Sequence, residues 1–252
     1  MYSTFRLTLL FSLLTVLSPF TIIAADAIEE IVVKASYRET TLEKNAGSLM
    51  ILSEEQLKAE PMKHLEQLSF LVPNLNFALS DGRPRYFQIR GIGEQSGYEG
   101  TPNSSVGLMI DDIDFSGQGG ISSSFDMEQI EVHRGPQGSR MGANALAGMI
   151  YMRSKQPTDV FEGLSELSLG SDGVRSVGVA FGGPLQDNPG IKYRVSIRND
   201  ESDGFRKNSY LNRDDTTGKD ELTVRLKLNH QPSEDTELNV LIQKSDFEAL
   251  SD

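Results

Sequence analysis

The sequence predicts a mixed α+β domain followed by antiparallel strands of a transmembrane β-barrel, which this chain leaves incomplete. Only 38% of the 252 residues are hydrophobic and 23 are glycine, a composition typical of β-rich or loop-rich proteins. Helical and strand patterns are mixed up to Pro157, and alternating apolar and polar residues follow. After the N-terminal leader, no apolar stretch could form a spanning helix, so a membrane form would have to use strands.

Residues 1–27 have the pattern of a secretory signal peptide. Arg6 precedes an apolar stretch from Leu7 to Leu17, and the small residues Ala25 and Ala27 follow it. This stretch is shorter than the roughly 20 residues that a spanning helix needs, which favours cleavage over anchoring. We therefore expect an exported protein that is cut after one of these two alanines.

The region 37–157 is predicted to form one domain with short helices. Ser53 and Gln56 have the spacing of a capping box, so a helix is expected to begin there and to continue through Lys58. Four apolar residues then recur at helical spacing and are predicted to face the core: Met62, Leu65, Leu68 and Leu71.

The region 158–252 predicts about five membrane strands of about ten residues each, the length that crosses a bilayer at a tilt. One face of each strand is apolar, and the residues on it are Phe161, Leu167, Leu169, Val177, Val179, Phe181, Ile191, Tyr193, Val195, Ile197, Leu222, Val224, Leu226, Leu228, Leu238, Val240 and Ile242. The opposite face of the third strand carries Lys192, Arg194 and Arg198. A cation facing lipid costs about 2–4 kcal/mol near the midplane, so the apolar face is expected to point outward.

The connections between these strands also follow a membrane-barrel pattern. The turns Asp187–Gly190 and Gln231–Asp235 are short, whereas Asp200–Asp220 is long and polar. Short periplasmic turns and longer external loops are typical of outer-membrane barrels. Phe161 and two further aromatics of the apolar face are predicted to share one rim, as interfacial aromatics do. Five strands are fewer than the roughly eight of the smallest membrane barrels, so we expect a truncated product or the first part of a larger barrel.

Three stretches resemble motifs of the TonB-dependent outer-membrane receptors, in which a plug domain fills a large barrel. Gln88–Gly93 (QIRGIG) is similar to the plug's I-R-G signature, and Val106–Phe115 resembles its strand and acidic turn. The most specific resemblance is Gln129–Gly138, which reads QIEVHRGPQG. The sequence departs from the family at His133, and at Met141, where members commonly have an aromatic residue.

The resemblance extends to residues 28–36, just after the leader. Six residues there resemble the TonB box, the segment that pairs with the C-terminal domain of TonB: Glu30, Ile31, Val32, Val33, Lys34 and Ala35. An extended β-branched run in a flexible N-terminus can add as a strand to an exposed sheet edge. The resemblance implies TonB-powered import of a scarce nutrient, such as an iron chelate, cobalamin or a sugar. It also implies a location in the lipid of the outer membrane of a Gram-negative bacterium.

Two sets of site residues follow from the resemblance. The small-molecule ligand is expected at polar, glycine-rich loops on the plug tip, where the candidates are Tyr98, Glu99, Ser116 and Gln118. A buried charged network between plug and barrel is expected to include Arg90, Glu131 and Arg134. The alternative for these three is an ordinary surface ion pair, which contributes little.

Other classes of function have less support in the residues. A net charge of -12 argues against a nucleic-acid partner, and the chain has no cysteine. Asp111, Asp112 and Asp114 lack the spacing of a calcium loop, and no catalytic motif occurs, so neither metal, cofactor nor enzymatic activity is expected. A secreted, soluble β-sandwich that binds a ligand is the alternative. A signalling receptor would need a further periplasmic domain before Glu30, which the short stretch after Ala27 argues against.

Overall fold

The computed structural model describes residues 31–35, 40–59, 64–80, 83–96, 103–118, 123–210, 212–213, 216–233 and 235–249. The chain divides into two compact units, residues 1–31 and residues 32–252. The predicted signal peptide lies outside the described residues. All of the elements described below belong to the second unit.

Strands make up most of the described residues. The strands are β1 (Val32–Val33), β2 (Thr40–Thr41), β3 (Leu49–Ser53), β4 (Leu75–Ser80), β5 (Arg83–Ile89), β6 (Val106–Ile110), β7 (Ile113–Asp114), β8 (Met127–His133), β9 (Gly148–Ser154), β10 (Glu162–Leu169), β11 (Arg175–Leu185), β12 (Asn188–Ser202), β13 (Lys219–Ser233) and β14 (Thr236–Ala249). The α-helices are α1 (Glu54–Ala59), α2 (Leu68–Leu71) and α3 (Gly138–Met141), and 3-10 turns span Leu42–Lys44 and Leu65–Gln67. No helix in the described part of the chain is long and apolar enough to cross a bilayer.

The N-terminal domain is built on a five-stranded sheet with the order β3-β8-β9-β6-β7. Strands β6 and β9 are parallel, and the other neighbours are antiparallel. One face of β8 and β9, including Ile130 and Ile150, packs into the main core, whereas Met149 and Tyr151 of β9 join a smaller cluster with Ala35. Because both faces of β9 are covered, Met149 to Met152 form a continuous apolar run rather than an alternating pattern.

The predicted helix start is confirmed. The backbone N–H of Ser53 donates to Oε1 of Gln56 at 3.1 Å, and the N–H of Gln56 donates to Oγ of Ser53 at 3.4 Å. This reciprocal pair closes the first turn of α1. Leu65 and Leu68 are fully buried, as predicted, but they lie in a 3-10 turn and in α2 rather than in one continuous helix.

Strands β10 to β14 form an antiparallel sheet in sequence order, which confirms the five predicted strands. The outward face exposes a band of apolar side chains: Leu167, Leu169, Val177, Val179, Phe181, Ile197, Leu222, Leu238, Val240 and Ile242. Strands β12 and β13 have 15 residues each and are longer than predicted, because their pairing continues past this band into polar residues. The soluble sandwich would bury such a face against a second sheet, whereas here the face is exposed.

The predicted aromatic rim is also present. The rings of Phe181 and Tyr193 meet edge to face with their centroids 6.4 Å apart. Gly183 is opposite Tyr193 in the sheet register and lies against the main chain of Phe161. The three aromatic residues therefore lie at one end of the sheet, with Phe161 directly before β10.

Candidate functional site

The N-terminal residues Val32–Ala35, which we call the docked segment, lie folded against the N-terminal domain. Val32 and Val33 pair with Thr41 and Thr40 in an antiparallel ladder. The side chains of Val33 and Ala35 are 1% and 4% exposed. Within the predicted TonB box, Val32 and Val33 therefore form a strand, and the docked segment is packed rather than free; Glu30 lies outside the described residues.

The side chain of Glu131 on β8 bonds the backbone of the docked segment. Its Oε1 accepts hydrogen bonds from the N–H groups of Lys34 and Ala35 at 2.5 and 3.1 Å. Nε2 of Gln129 donates to the carbonyl oxygen of Val32 at 3.0 Å and to Oε1 of Glu131 at 2.9 Å. Because side chains alternate along a strand, Gln129, Glu131 and His133 share one face of β8.

The other carboxylate oxygen of Glu131 is also bonded. Oε2 lies 2.8 Å from Nε2 of His133. Glu131 is completely buried, and burying a carboxylate is unfavourable unless hydrogen bonds satisfy it. The Glu131 carboxylate, a candidate for the charged network between plug and barrel, therefore bonds the docked segment among the described residues.

Two aspartates of the N-terminal domain make buried ion pairs with the sheet of strands β10 to β14. Arg194 of β12 binds Asp126 through Nε at 2.8 Å and Nη2 at 2.5 Å. These side chains are 3% and 2% exposed. Lys227 of β13 donates to Oδ1 of Asp111 at 2.9 Å, and both groups are nearly buried. The inward cation Arg194 was predicted, whereas both carboxylates were missed.

Both of these aspartates adopt an uncommon backbone conformation, which only the structure reveals. Asp111 and Asp126 have φ values of 48° and 58°, in the left-handed region. Aspartate tolerates this region better than most residues, so it is favoured where a turn directs a carboxylate to a neighbouring surface.

Among the described residues, the two predicted arginines of the charged network make other contacts. Arg90 is exposed and takes part in a turn, in which its N–H donates to the carbonyl oxygen of Asn74. Arg134 donates its backbone N–H to Ser48 and lines a cavity of about 550 Å³ beside α3. Among the described residues, the buried ion pairs between the N-terminal domain and strands β10 to β14 are Arg194–Asp126 and Lys227–Asp111.

A cation–π contact adds to the interface between the two sheets. The guanidinium of Arg198 lies 5.2 Å from the ring centroid of Phe125. Gly178 of β11 allows this approach, because a Cβ atom there would lie 2.6 Å from the phenylalanine ring. Arg198 was predicted on the inward face, and it also pairs with Glu166 at 3.0 Å.

The carboxylates of the acidic turn between β6 and β7 bind neighbouring groups of the same domain. Asp111 accepts from the backbone and hydroxyl of Ser154, and Asp114 accepts from Asn144. Asp112 pairs with Arg140 and with the hydroxyl of Tyr151. Burial and the adjacent Asp112 carboxylate raise the pKa of Tyr151 above its usual range. No group of metal-ligating side chains occurs among the residues that the structure describes.

The ligand candidates are only partly described. Tyr98 and Glu99 lie outside the described residues. Oγ of Ser116 accepts from the N–H of Leu108 at 3.1 Å, so this hydroxyl shapes the turn. Gln118 is exposed on the loop that follows, where its side chain is accessible to a ligand.

Glu54 connects α1 to the end of the N-terminal domain and gives a pH prediction. Burial opposes its ionisation, but Lys58 at 2.6 Å and Lys155 at 2.9 Å outweigh burial and lower its pKa below 4.5. A lowered folded-state pKa stabilises the protein above the unfolded value, and this stability is lost as pH falls through the folded one.

We expect Glu54→Gln to lower the free energy of unfolding by less than about 1 kcal/mol at neutral pH, because the Glu54 carboxylate is partly exposed. Urea midpoints measured for both forms should converge as the pH falls below 4.5. A stability difference that stays constant down to about pH 3 would contradict this role.

Sequence comparison extends these observations. A family model described as the TonB-dependent receptor plug domain matches residues 41–149. This part of the chain is a plug domain of the TonB-dependent receptors. The residue range of the match contains β3, β6, β7 and β8 and the first two residues of β9. We therefore call this domain the plug and strands β10 to β14 the barrel strands.

Relatives agree with this assignment, and a solved structure shares the fold. The ferric enterobactin receptor PirA of Pseudomonas aeruginosa is 27% identical over 66% of this chain and 25% of its own length. The vitamin B12 transporter BtuB of Vibrio vulnificus is 29% identical over 44% of this chain and 18% of its own. The crystal structure of the ferric yersiniabactin uptake receptor FyuA from Yersinia pestis matches with a TM-score of 0.71 and 24% identity, over 81% of this chain and 32% of that one.

The family membership confirms three expectations from the sequence. The fold is a plug followed by antiparallel barrel strands, the location is the outer membrane of a Gram-negative bacterium, and the family consists of transport receptors rather than enzymes. The chain spans about a quarter of the length of PirA.

Proposed function

We propose that this chain forms the plug and the first barrel strands of a receptor that imports a scarce nutrient across the outer membrane. An iron chelate is the favoured substrate class, because PirA and FyuA are named for ferric siderophores. Cobalamin is the second candidate, since BtuB is named as a vitamin B12 transporter. Ligand binding at the plug tip, near Gln118, would precede transport.

The observation that carries this proposal is the two-sided barrel sheet. Its outward face exposes an apolar band suited to lipid, and its inward face is joined to the plug by buried ion pairs. A plug that has to move for import needs contacts that hold it at rest and can be broken. We further propose the division into residues 37–157 for the plug and 158–252 for the barrel strands. Transport would require more strands than these, because an open sheet leaves unpaired backbone groups in lipid.

We also propose that residues Glu30–Ala35 pair with the C-terminal domain of TonB. Strand addition to an exposed sheet edge is supported by the extended backbone of Val32 and Val33. Calorimetry should detect binding of a purified TonB C-terminal domain to the full chain in detergent. Val32→Pro should abolish this binding, because proline removes a backbone donor that an added strand needs.

A matched variant separates the loss of the donor from the loss of the side chain. Val32→Thr keeps both the N–H and the β-branched shape, so it should bind TonB like the wild type. Failure of TonB to bind the wild-type chain would refute the proposed coupling. Equal binding by the proline variant would place the TonB contact outside this segment.

A further inference from the structure

We propose that Glu131 is the residue that keeps the docked segment from pairing with TonB, so that its release from Glu131 limits TonB binding. This inference rests on the proposed function, since it concerns the regulation of the same segment. It concerns a residue in the middle of β8, about 100 positions along the sequence from the segment that it holds.

The docked segment has its backbone groups engaged on two sides. The ladder with Thr40 and Thr41 occupies Val32 and Val33. Glu131 accepts from the N–H groups of Lys34 and Ala35, and Gln129 donates to Val32. A strand added by TonB would need these same donors and acceptors. Docking and TonB pairing are therefore mutually exclusive for this backbone.

The hydrogen bonds of Glu131 also explain how the segment can leave without depriving the buried carboxylate of all its partners. Glu131 has four hydrogen-bond partners, of which two belong to the docked segment. The other two, Gln129 and His133, lie on β8 and remain when the segment departs. A carboxylate that lost every partner would carry a large desolvation penalty, whereas this one keeps one bond to each oxygen. His133, where the chain departs from the family, thus supports a reversible contact.

Other contacts of the segment are less able to hold it. Lys34 approaches Glu128 at 3.9 Å, and both side chains are about one-third exposed. An ion pair of this kind contributes little. The apolar contacts of Val33 and Ala35 favour docking, but they have no directional preference for this backbone conformation. The charged acceptor at Glu131 is the directional contact.

Hydrogen exchange tests the docking without reference to TonB. In the full chain in detergent, Glu131→Ala should speed exchange of the Lys34 and Ala35 amides by roughly tenfold or more, because bonds to a charged acceptor are the stronger class. Glu131→Gln keeps a neutral acceptor and should give a smaller increase. Val132→Ala, the neighbouring residue on the core face of β8, should leave these two amides protected.

The amides of β9 serve as an internal reference. If the β9 amides also lose protection in Glu131→Ala, that variant is destabilised as a whole. Exchange of the Lys34 and Ala35 amides in Glu131→Gln then tests the docking contact. Unchanged exchange at Lys34 and Ala35 in both Glu131 variants would overturn the proposal. An equal acceleration in Val132→Ala would overturn it as well, since general destabilisation would then explain the release.

The second arm measures binding of the TonB C-terminal domain to the same variants. Glu131→Ala should bind TonB more tightly than wild type by about the same factor as its exchange is accelerated, because the competent population grows by that factor. Faster exchange with unchanged TonB affinity would overturn the regulatory role. Faster exchange with no TonB binding by wild type or variant would instead refute the proposed function and leave the docking contact intact.

Discussion

Replacement of Asp126 by alanine is expected to lower the free energy of unfolding by about 3–5 kcal/mol, because it leaves the guanidinium of Arg194 buried without its partner. The two side chains are 2% and 3% exposed, so water cannot readily replace the lost carboxylate. Glu162 lies 3.9 Å from Nη1 of Arg194 and offers partial compensation, which favours the lower end of this range. Urea unfolding of the full chain in detergent should measure the change.

A double variant separates two contributions to stability: the penalty of a buried charge without a partner, and the stabilisation that the ion pair itself provides. Apolar replacement of both members of a buried pair is often neutral or stabilising, so Asp126→Leu with Arg194→Met should recover most of the loss. The slope of the unfolding curve should be the same in all forms, so that midpoints can be compared. A stability of Asp126→Ala within about 0.5 kcal/mol of wild type would mean that the plug does not depend on this contact.

The barrel strands could be predicted from the sequence because alternation is a local property. Val179 and Ile197 are exposed on the outward face, and Arg194 and Arg198 are buried on the inward one, as the period of two requires. The rim position of Tyr193 follows from the same alternation and from the turn lengths. Only the ends of the long strands differ, because cross-strand pairing extends beyond the apolar residues that define the pattern.

The partners of the buried charges could not be predicted in this way. Arg194 and Asp126 are 68 positions apart, and Lys34 and Glu131 are 97 apart, so no local period relates them. A weaker signal does exist in β8, where the polar residues Gln129, Glu131 and His133 alternate with the apolar residues Ile130 and Val132. Such a pattern indicates that one face of the strand meets polar groups. It does not indicate that those groups are the backbone of the N-terminal segment.

Substitution of Gly148 by alanine is the second change with a large expected effect. A Cβ atom at this position would lie 2.3 Å from the carbonyl oxygen of His133 and 2.7 Å from Cδ1 of Ile89. The side chain of Ile89 can rotate, but the carbonyl belongs to β8, which is paired with β9 next to this point. We therefore expect a loss of about 1–3 kcal/mol, near the upper end, because the backbone has to shift.

Gly138 provides the matched control, since it is also a glycine of the plug. A Cβ atom there meets no heavy atom within 4 Å, and the residue begins α3. Alanine is favoured over glycine in a helix, so Gly138→Ala should be neutral or slightly stabilising. Urea midpoints of the two alanine variants should therefore move in opposite directions or differ clearly in size. Coincident midpoints would mean that β8 and β9 can separate at little cost, and the close approach at Gly148 would then not constrain the plug sheet.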